Sequence, residues 1–249
     1  MLNKKNKKGE LTTTQLVTII VLIASFAIIL ILLFRLNLGE TTDSEICRNS
    51  VVLKGRTEGF AGTLDCKTQY ICISGGSDCT NFSATEKVKV NSEERNETLE
   101  AIADAMTSCW YTFGEGKIDY GDLRKPAGHS ICAVCSIVNF DSSLREKETI
   151  SYMELYNYLK QTNKSNSQTY FQYLYSTDDT GFLSQNYLAN NIEFDKPYFI
   201  LTGIRREGIW NYVFSLDSDI DSESQPVIIL ENTAENYQQL GCDEFVTKA

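Results

Sequence analysis

The stretch Leu16-Val17-Thr18-Ile19-Ile20-Val21-Leu22-Ile23-Ala24-Ser25-Phe26-Ala27-Ile28-Ile29-Leu30-Ile31-Leu32-Leu33-Phe34 carries no charge, and only Thr18 and Ser25 interrupt it with polar groups. At about 1.5 Å of rise per residue, such a run covers the roughly 30 Å hydrocarbon thickness of a bilayer as one helix. A helix is required there because lipid offers no partner for free backbone amides. Lys4, Lys5, Lys7 and Lys8 precede it. Clustered lysines stay cytoplasmic, so everything after Leu36 is expected outside the cytoplasm. The run exceeds the roughly 7–15 apolar residues of a cleaved secretory signal. It also ends Phe34-Arg35-Leu36-Asn37 rather than in small residues. A single-pass anchor in the lipid bilayer of the cell membrane is the expectation.

Just before the helix stands Lys7-Lys8-Gly9-Glu10-Leu11. This junction resembles the class III signal of archaeal type IV pilins. The resemblance implies a cut on the cytoplasmic face between Gly9 and Glu10, leaving the apolar helix on a mature protein able to join other pilus or surface proteins. Thr14 stands where that family often carries a glutamate. The segment Arg35-Leu36-Asn37-Leu38-Gly39-Glu40, running into Ile46-Cys47, resembles membrane-anchored archaeal proteins, a likeness that implies no activity. The expected organisation is a basic cytoplasmic segment at 1–9 (the leader on the pilin reading), a transmembrane helix at 10–36, a linker at 37–46 and an extracytoplasmic domain at 47–249.

Four lysines, Glu10 and Arg35 give residues 1–36 a charge of +4, so residues 37–249 carry −14 of the total −10. An acidic exterior disfavours nucleic acid and anionic lipid surfaces as partners, because both need clustered lysine and arginine. All eight cysteines lie beyond the apolar run: Cys47, Cys66, Cys72, Cys79, Cys109, Cys132, Cys135 and Cys242. An even count outside the cytoplasm is the mark of a disulfide framework, with on the order of 100 pairings open to eight cysteines. Cys72 and Cys79 flank the turn-forming Ser74-Gly75-Gly76-Ser77-Asp78, which can bring their sulfurs together. Asn81, Asn96 and Asn163 each head an N-x-[ST] sequon and are glycosylation candidates.

Alternating runs suggest strands at Val51–Lys54, Gln69–Ser74 and Lys87–Val90. Asn91, with Glu94 three residues on, suggests a capped helix whose Leu99, Ile102, Met106, Cys109, Trp110 and Phe113 share one inward face. Gly114 and Gly116 would end it. Ile131–Phe140 reads as a buried strand. Ser151 and Glu154 form a capping box, flanked by Ile150 and Leu155 as a hydrophobic staple, ahead of a helix from Tyr152 to Gln161. Gln168–Tyr175 leans helical, and strands follow at Tyr198–Ile204, Trp210–Leu216 and Pro226–Glu231. Helices and strands interleave without a βαβ rhythm, so the expected class is α+β.

The sharpest chemical pattern is His129-Ser130-Ile131-Cys132-Ala133-Val134-Cys135. A C-x-x-C pair serves as a redox dithiol, or gives zinc two ligands with His129 as a third. On a strand, however, positions three apart point to opposite faces, and Cys132 and Cys135 would then bridge to separate partners, with Cys109 available to one of them. Asp217-Ser218-Asp219-Ile220-Asp221-Ser222-Glu223 carries alternate carboxylates, but Ser222 and Ile228 replace the glycine and final glutamate of a calcium loop, leaving a solvated turn. Tyr152, Tyr156, Tyr158, Tyr170, Phe171, Tyr173 and Tyr175 suit either a binding platform or the edge of a core, and the core edge is the better reading. No catalytic residue, metal or cofactor is indicated, so the expected role is structural or interactive: a pilin-like or surface protein, not an enzyme, contacting other surface proteins or glycans. The alternative is a membrane-tethered thiol–disulfide oxidoreductase, or a metal-binding protein, using Cys132 and Cys135.

Overall fold

The computed structural model describes residues 13–35, 43–57, 62–80, 83–121, 129–145, 149–165, 167–204 and 224–248. Two units emerge, Met1–Thr42 and Asp43–Ala249. In the first, Thr13–Arg35 forms helix α1. Its side chains are described over 14–29, and all of them are exposed, Ile23 at 64% and Phe26 at 63%. Among the described residues, no helix is long and apolar enough to cross a membrane.

The second unit is a mixed α+β fold. Its elements are α2 (Asp43–Arg56), β1 (Cys66–Lys67), β2 (Gln69–Ser74), β3 (Glu86–Lys89), α3 (Arg95–Thr112), β4 (Ile131–Phe140), α4 (Ser142–Arg145), β5 (Ile150–Ser151), α5 (Tyr152–Gln161), β6 (Asn163–Ser165) and β7 (Gln168–Thr169). Then come α6 (Tyr170–Tyr175), α7 (Gln185–Leu188), β8 (Asn191–Ile192), β9 (Tyr198–Ile204), β10 (Ser224–Glu231), α8 (Ala234–Gln239), β11 (Glu244–Phe245) and β12 (Thr247–Lys248). The main sheet runs β10-β9-β4-β2-β3, and β11 pairs with the start of β4. It is antiparallel from β10 to β4 and parallel from β4 to β3. Strand β4 has neighbours on both edges and apolar residues at nearly every position, as a central strand requires.

A bulge shapes β4. Ile131 and Ala133 pair with Ile204 and Thr202, while Ser136 and Val138 pair with Ile200 and Tyr198, so the register slips at Cys135. Strict alternation would send Ala133 and Val138 to opposite faces. The extra residue restores the phase, and both follow the even-numbered positions of β9. Helix α3 packs on β9 and β10, with Leu99, Ile102, Met106, Cys109 and Trp110 buried. The helix stops where Gly114 and Gly116 take positive φ of 86° and 69°. A Cβ on Gly114 would stand 2.7 Å from Ile118, so a side chain there would meet both strain and a clash.

Several local expectations change. Val51–Lys54 is helical, not a strand, and the second unit begins at Asp43 rather than Cys47. Asp43 and Glu45 in the first turn of α2, with Lys54 and Arg56 in the last, complement the helix dipole, while Cys47, Val51 and Lys54 turn inward at helical spacing. Asn91 does not cap α3. Its side-chain oxygen accepts from the Glu93 N–H at 3.1 Å and its amide donates to Glu94 Oε1 at 3.4 Å in a turn before the helix, while Glu94 is the N-cap and makes no capping bond to the helix backbone. Gln168–Tyr175 divides into β7 and α6, the boundary set by a capping box between Thr169 and Gln172. Ser151 does cap α5, accepting from the Glu154 N–H at 3.1 Å. The Glu154 carboxylate turns instead to Arg95 of α3, with Nη2 to Oε2 at 2.7 Å. Trp210–Leu216 and the acidic stretch Asp217–Glu223 lie outside the described residues.

Candidate functional site

All eight cysteines are paired: Cys47 with Cys66, Cys72 with Cys79, Cys109 with Cys135 and Cys132 with Cys242. The turn at Ser74–Asp78 therefore does close a local loop. Cys132 lies opposite Gly203, on the face away from Ala133, and reaches the C-terminal segment, whereas Cys135 reaches α3. The pleat of β4 keeps these two sulfurs apart, as the strand reading requires, and they do not form a dithiol pair with each other.

His129 sits at the entrance to β4 with its side chain 14% exposed. Its Nδ1 is 3.5 Å from Asp243 Oδ2 and its Nε2 is 3.6 Å from Glu244 Oε2. Asp243 also accepts the Ser130 N–H at 2.8 Å, so this carboxylate is occupied in fastening the chain end to β4. No thiol is free to join His129 in a nucleophilic pair. Among the described residues, no group of three or more His, Cys, Asp or Glu side chains could hold a metal ion.

The tyrosine-rich stretch turns inward. Tyr152, Tyr156, Tyr170, Phe171 and Leu174 are buried, and Tyr156 packs against Phe171, Tyr175 and Tyr187. The Tyr175 hydroxyl donates to the Val227 carbonyl at 2.8 Å and that of Tyr187 to the Ile229 carbonyl at 2.9 Å. The Tyr156 oxygen stands 3.1 Å from that of Tyr175 and 3.3 Å from that of Tyr187. Burial raises the pKa of all three phenols, so they stay neutral and act as donors. Strand β10 is a sheet edge among the described residues, and these hydroxyls satisfy carbonyls on it. Tyr187→Phe should cost about 1–3 kcal/mol by leaving a buried carbonyl unpaired. Urea unfolding checks this, with exposed Tyr111→Phe as a near-neutral control.

Beside this cluster lies a cavity of about 380 Å³ between the start of α5, the segment 187–198 and residues 230–236. Lys196 reaches across it, 2.8 Å from Glu193 and 3.3 Å from Glu231. Hydrogen bonds to these two carboxylates raise the lysine pKa, which keeps it charged and engaged. Tyr198 Oη accepts the Glu193 N–H at 2.7 Å, and burial pushes that phenol up to about 12. Asn236 donates from its amide to the Glu231 carbonyl at 2.7 Å. The lining holds no histidine, cysteine or serine, and its aromatic rings are too buried to offer a stacking face. It can hydrogen-bond a small polar group, but it contains no nucleophile–base pair. Nothing in the sequence marked it, because its residues come from three separated segments without a motif.

The sequons differ in setting. Asn96 is exposed in the first turn of α3, Asn163 is exposed in β6, and Asn81 lies outside the described residues. No family model, curated protein or solved structure matches this chain.

Proposed function

We propose that this chain is a single-pass membrane-anchored protein with its N-terminus in the cytoplasm and a disulfide-stapled α+β domain outside, serving a structural or interaction role of pilin-like or surface type. The observation that carries the reading is α1, in which every described side chain from 14 to 29 is exposed and only Thr14, Gln15, Thr18 and Ser25 among them are polar. A helix of this kind in water would leave a large unpartnered apolar surface, and lipid removes that cost. Four disulfides with no free thiol support an oxidising exterior, since thiols are kept reduced in most cytosols. The basic-Gly9-Glu10 junction supports pilin-type processing ahead of the helix.

The partners on this reading are the bilayer and other surface or pilus proteins or glycans. The test is fractionation of the native cells. The chain should remain with membranes after alkaline carbonate washing, its domain should be cut by protease added to intact cells, and its mature N-terminus should read Glu10. Recovery in the soluble fraction with reduced cysteines removes the whole reading. An intact Met1 on membrane-bound protein removes only the pilin-type processing.

A further inference from the structure

We infer that Asn163 is a glycan acceptor of the folded domain and that Asn96 is not, an inference that rests on the domain lying outside the cytoplasm. Glycosylation of a sequon needs two side chains offered together: the asparagine carboxamide as nucleophile and the hydroxyl two residues on, through which a transferase recognises the site. At Asn163-Lys164-Ser165 all three residues are exposed on β6, in extended backbone. Neither the Asn163 carboxamide nor the Ser165 hydroxyl has a partner among the described residues. The β6–β7 hairpin slips register between Asn163 and Ser165, which loosens the ladder where an enzyme must engage it. Lys164 lies over the Tyr173 ring at 4.3 Å, steadying the hairpin without covering either functional group.

Asn96-Glu97-Thr98 has the same letters in a different geometry. It lies in the first turn of α3, where residues two apart differ by about 200° around the helix axis. Asn96 therefore faces solvent while Thr98 is 3% exposed and turned into the core. The hydroxyl needed for recognition is withdrawn by the same fold that exposes the carboxamide. At Asn163, the Nδ2 nitrogen bonds to the anomeric carbon of a lipid-phosphate-linked oligosaccharide. The bond from that carbon to the phosphate oxygen breaks, the lipid phosphate leaves with the electron pair, and an amide proton passes to a base of the transferase.

The experiment is peptide mass spectrometry of the full chain from its own cells, digested without reduction, alongside Asn163→Gln and Asn96→Gln variants. The Asn163 peptide should carry hexose-containing mass and the Asn96 peptide none. Glycan staining should fall in Asn163→Gln and stay unchanged in Asn96→Gln, with the Asn81 peptide read separately in the same digest. Bare Asn163 in a chain with all four disulfides intact overturns the acceptor assignment while leaving the location standing. Bare Asn163 with reduced cysteines overturns both. Occupied Asn96 overturns the geometric rule.

Discussion

Replacing Cys132 and Cys242 together by alanine is expected to lower the unfolding free energy by about 4.8 kcal/mol, the largest effect of any bridge in the chain. The reason is loop length. This disulfide closes 110 residues, against 7 for Cys72–Cys79, for which the same chain-entropy relation gives about 2.4 kcal/mol. It also ties the central strand to the segment that carries Asp243 and β11, which pairs with β4 at Ile131 and Cys132. Without the bridge, the short parallel pairing of β11 must hold the chain end with few bonds. At roughly 2–4 °C per kcal/mol for a domain of this size, the melting temperature should fall by about 10–20 °C. Thermal unfolding of the purified chain, compared with the Cys72→Ala and Cys79→Ala pair, checks the order. Equal losses for the two pairs would refute the loop-length account.

The second large effect is expected at Asp141, at the end of β4. Its carboxylate is fully buried and accepts five hydrogen bonds. Oδ2 receives the Ser77 N–H at 2.7 Å, the Ser74 hydroxyl at 3.0 Å and the Gly76 N–H at 3.2 Å. Oδ1 receives the Ser143 hydroxyl at 2.7 Å and the Leu144 N–H at 3.1 Å. One side chain thus organises the turn inside the Cys72–Cys79 loop and the start of α4. Burial alone would raise its pKa, but the donors from Ser143, Ser77, Ser74 and Leu144 outweigh it, and the net direction is downward. Asp141→Ala, which orphans several of these donors, should cost about 3–5 kcal/mol.

The pH dependence has a definite sign. The folded-state pKa lies below the unfolded value of about 3.9, so the stabilisation is fully present above that value. It is lost as pH falls through the folded pKa. Asp141→Ala should flatten the acid limb of the stability curve, and Asp141→Asn should do the same while keeping the side-chain shape. Urea midpoints measured from neutral pH down to the acid limb decide this. An unchanged acid limb in both variants would exclude Asp141 as the titrating group.

Much of the fold was legible where a short-range pattern and its tertiary role coincide. The Ser151 cap, the inward face from Leu99 to Phe113, the glycine stop at Gly114 and strands β2, β4, β9 and β10 all follow from spacing alone. Failures came where two local readings were close in energy. Val51–Lys54 has strand-like residues, yet the dipole-matched charges at both ends of α2 and the bond from Cys47 to Cys66 hold it helical. Helix α8 went unread because its apolar pattern is weak, although Thr233 caps it by accepting from the Asn236 N–H at 3.2 Å. The cavity around Lys196 left no trace in the sequence, since proximity among residues 152, 193, 196 and 231 arises only when β9 and β10 pair.

The sequence by itself determined that an uncharged apolar run, Leu16 to Phe34, precedes an acidic, cysteine-rich region, because chain composition sets hydrophobicity, charge and the number of available thiols without reference to folding. It also determined that Cys132 and Cys135 take different partners once that segment is a strand, because pleat parity is a local property. Which partners they take and which tyrosine hydroxyls cover the β10 edge were decided by tertiary structure alone. Each depends on segments far apart in the chain meeting at a particular register, and no short-range rule encodes that register.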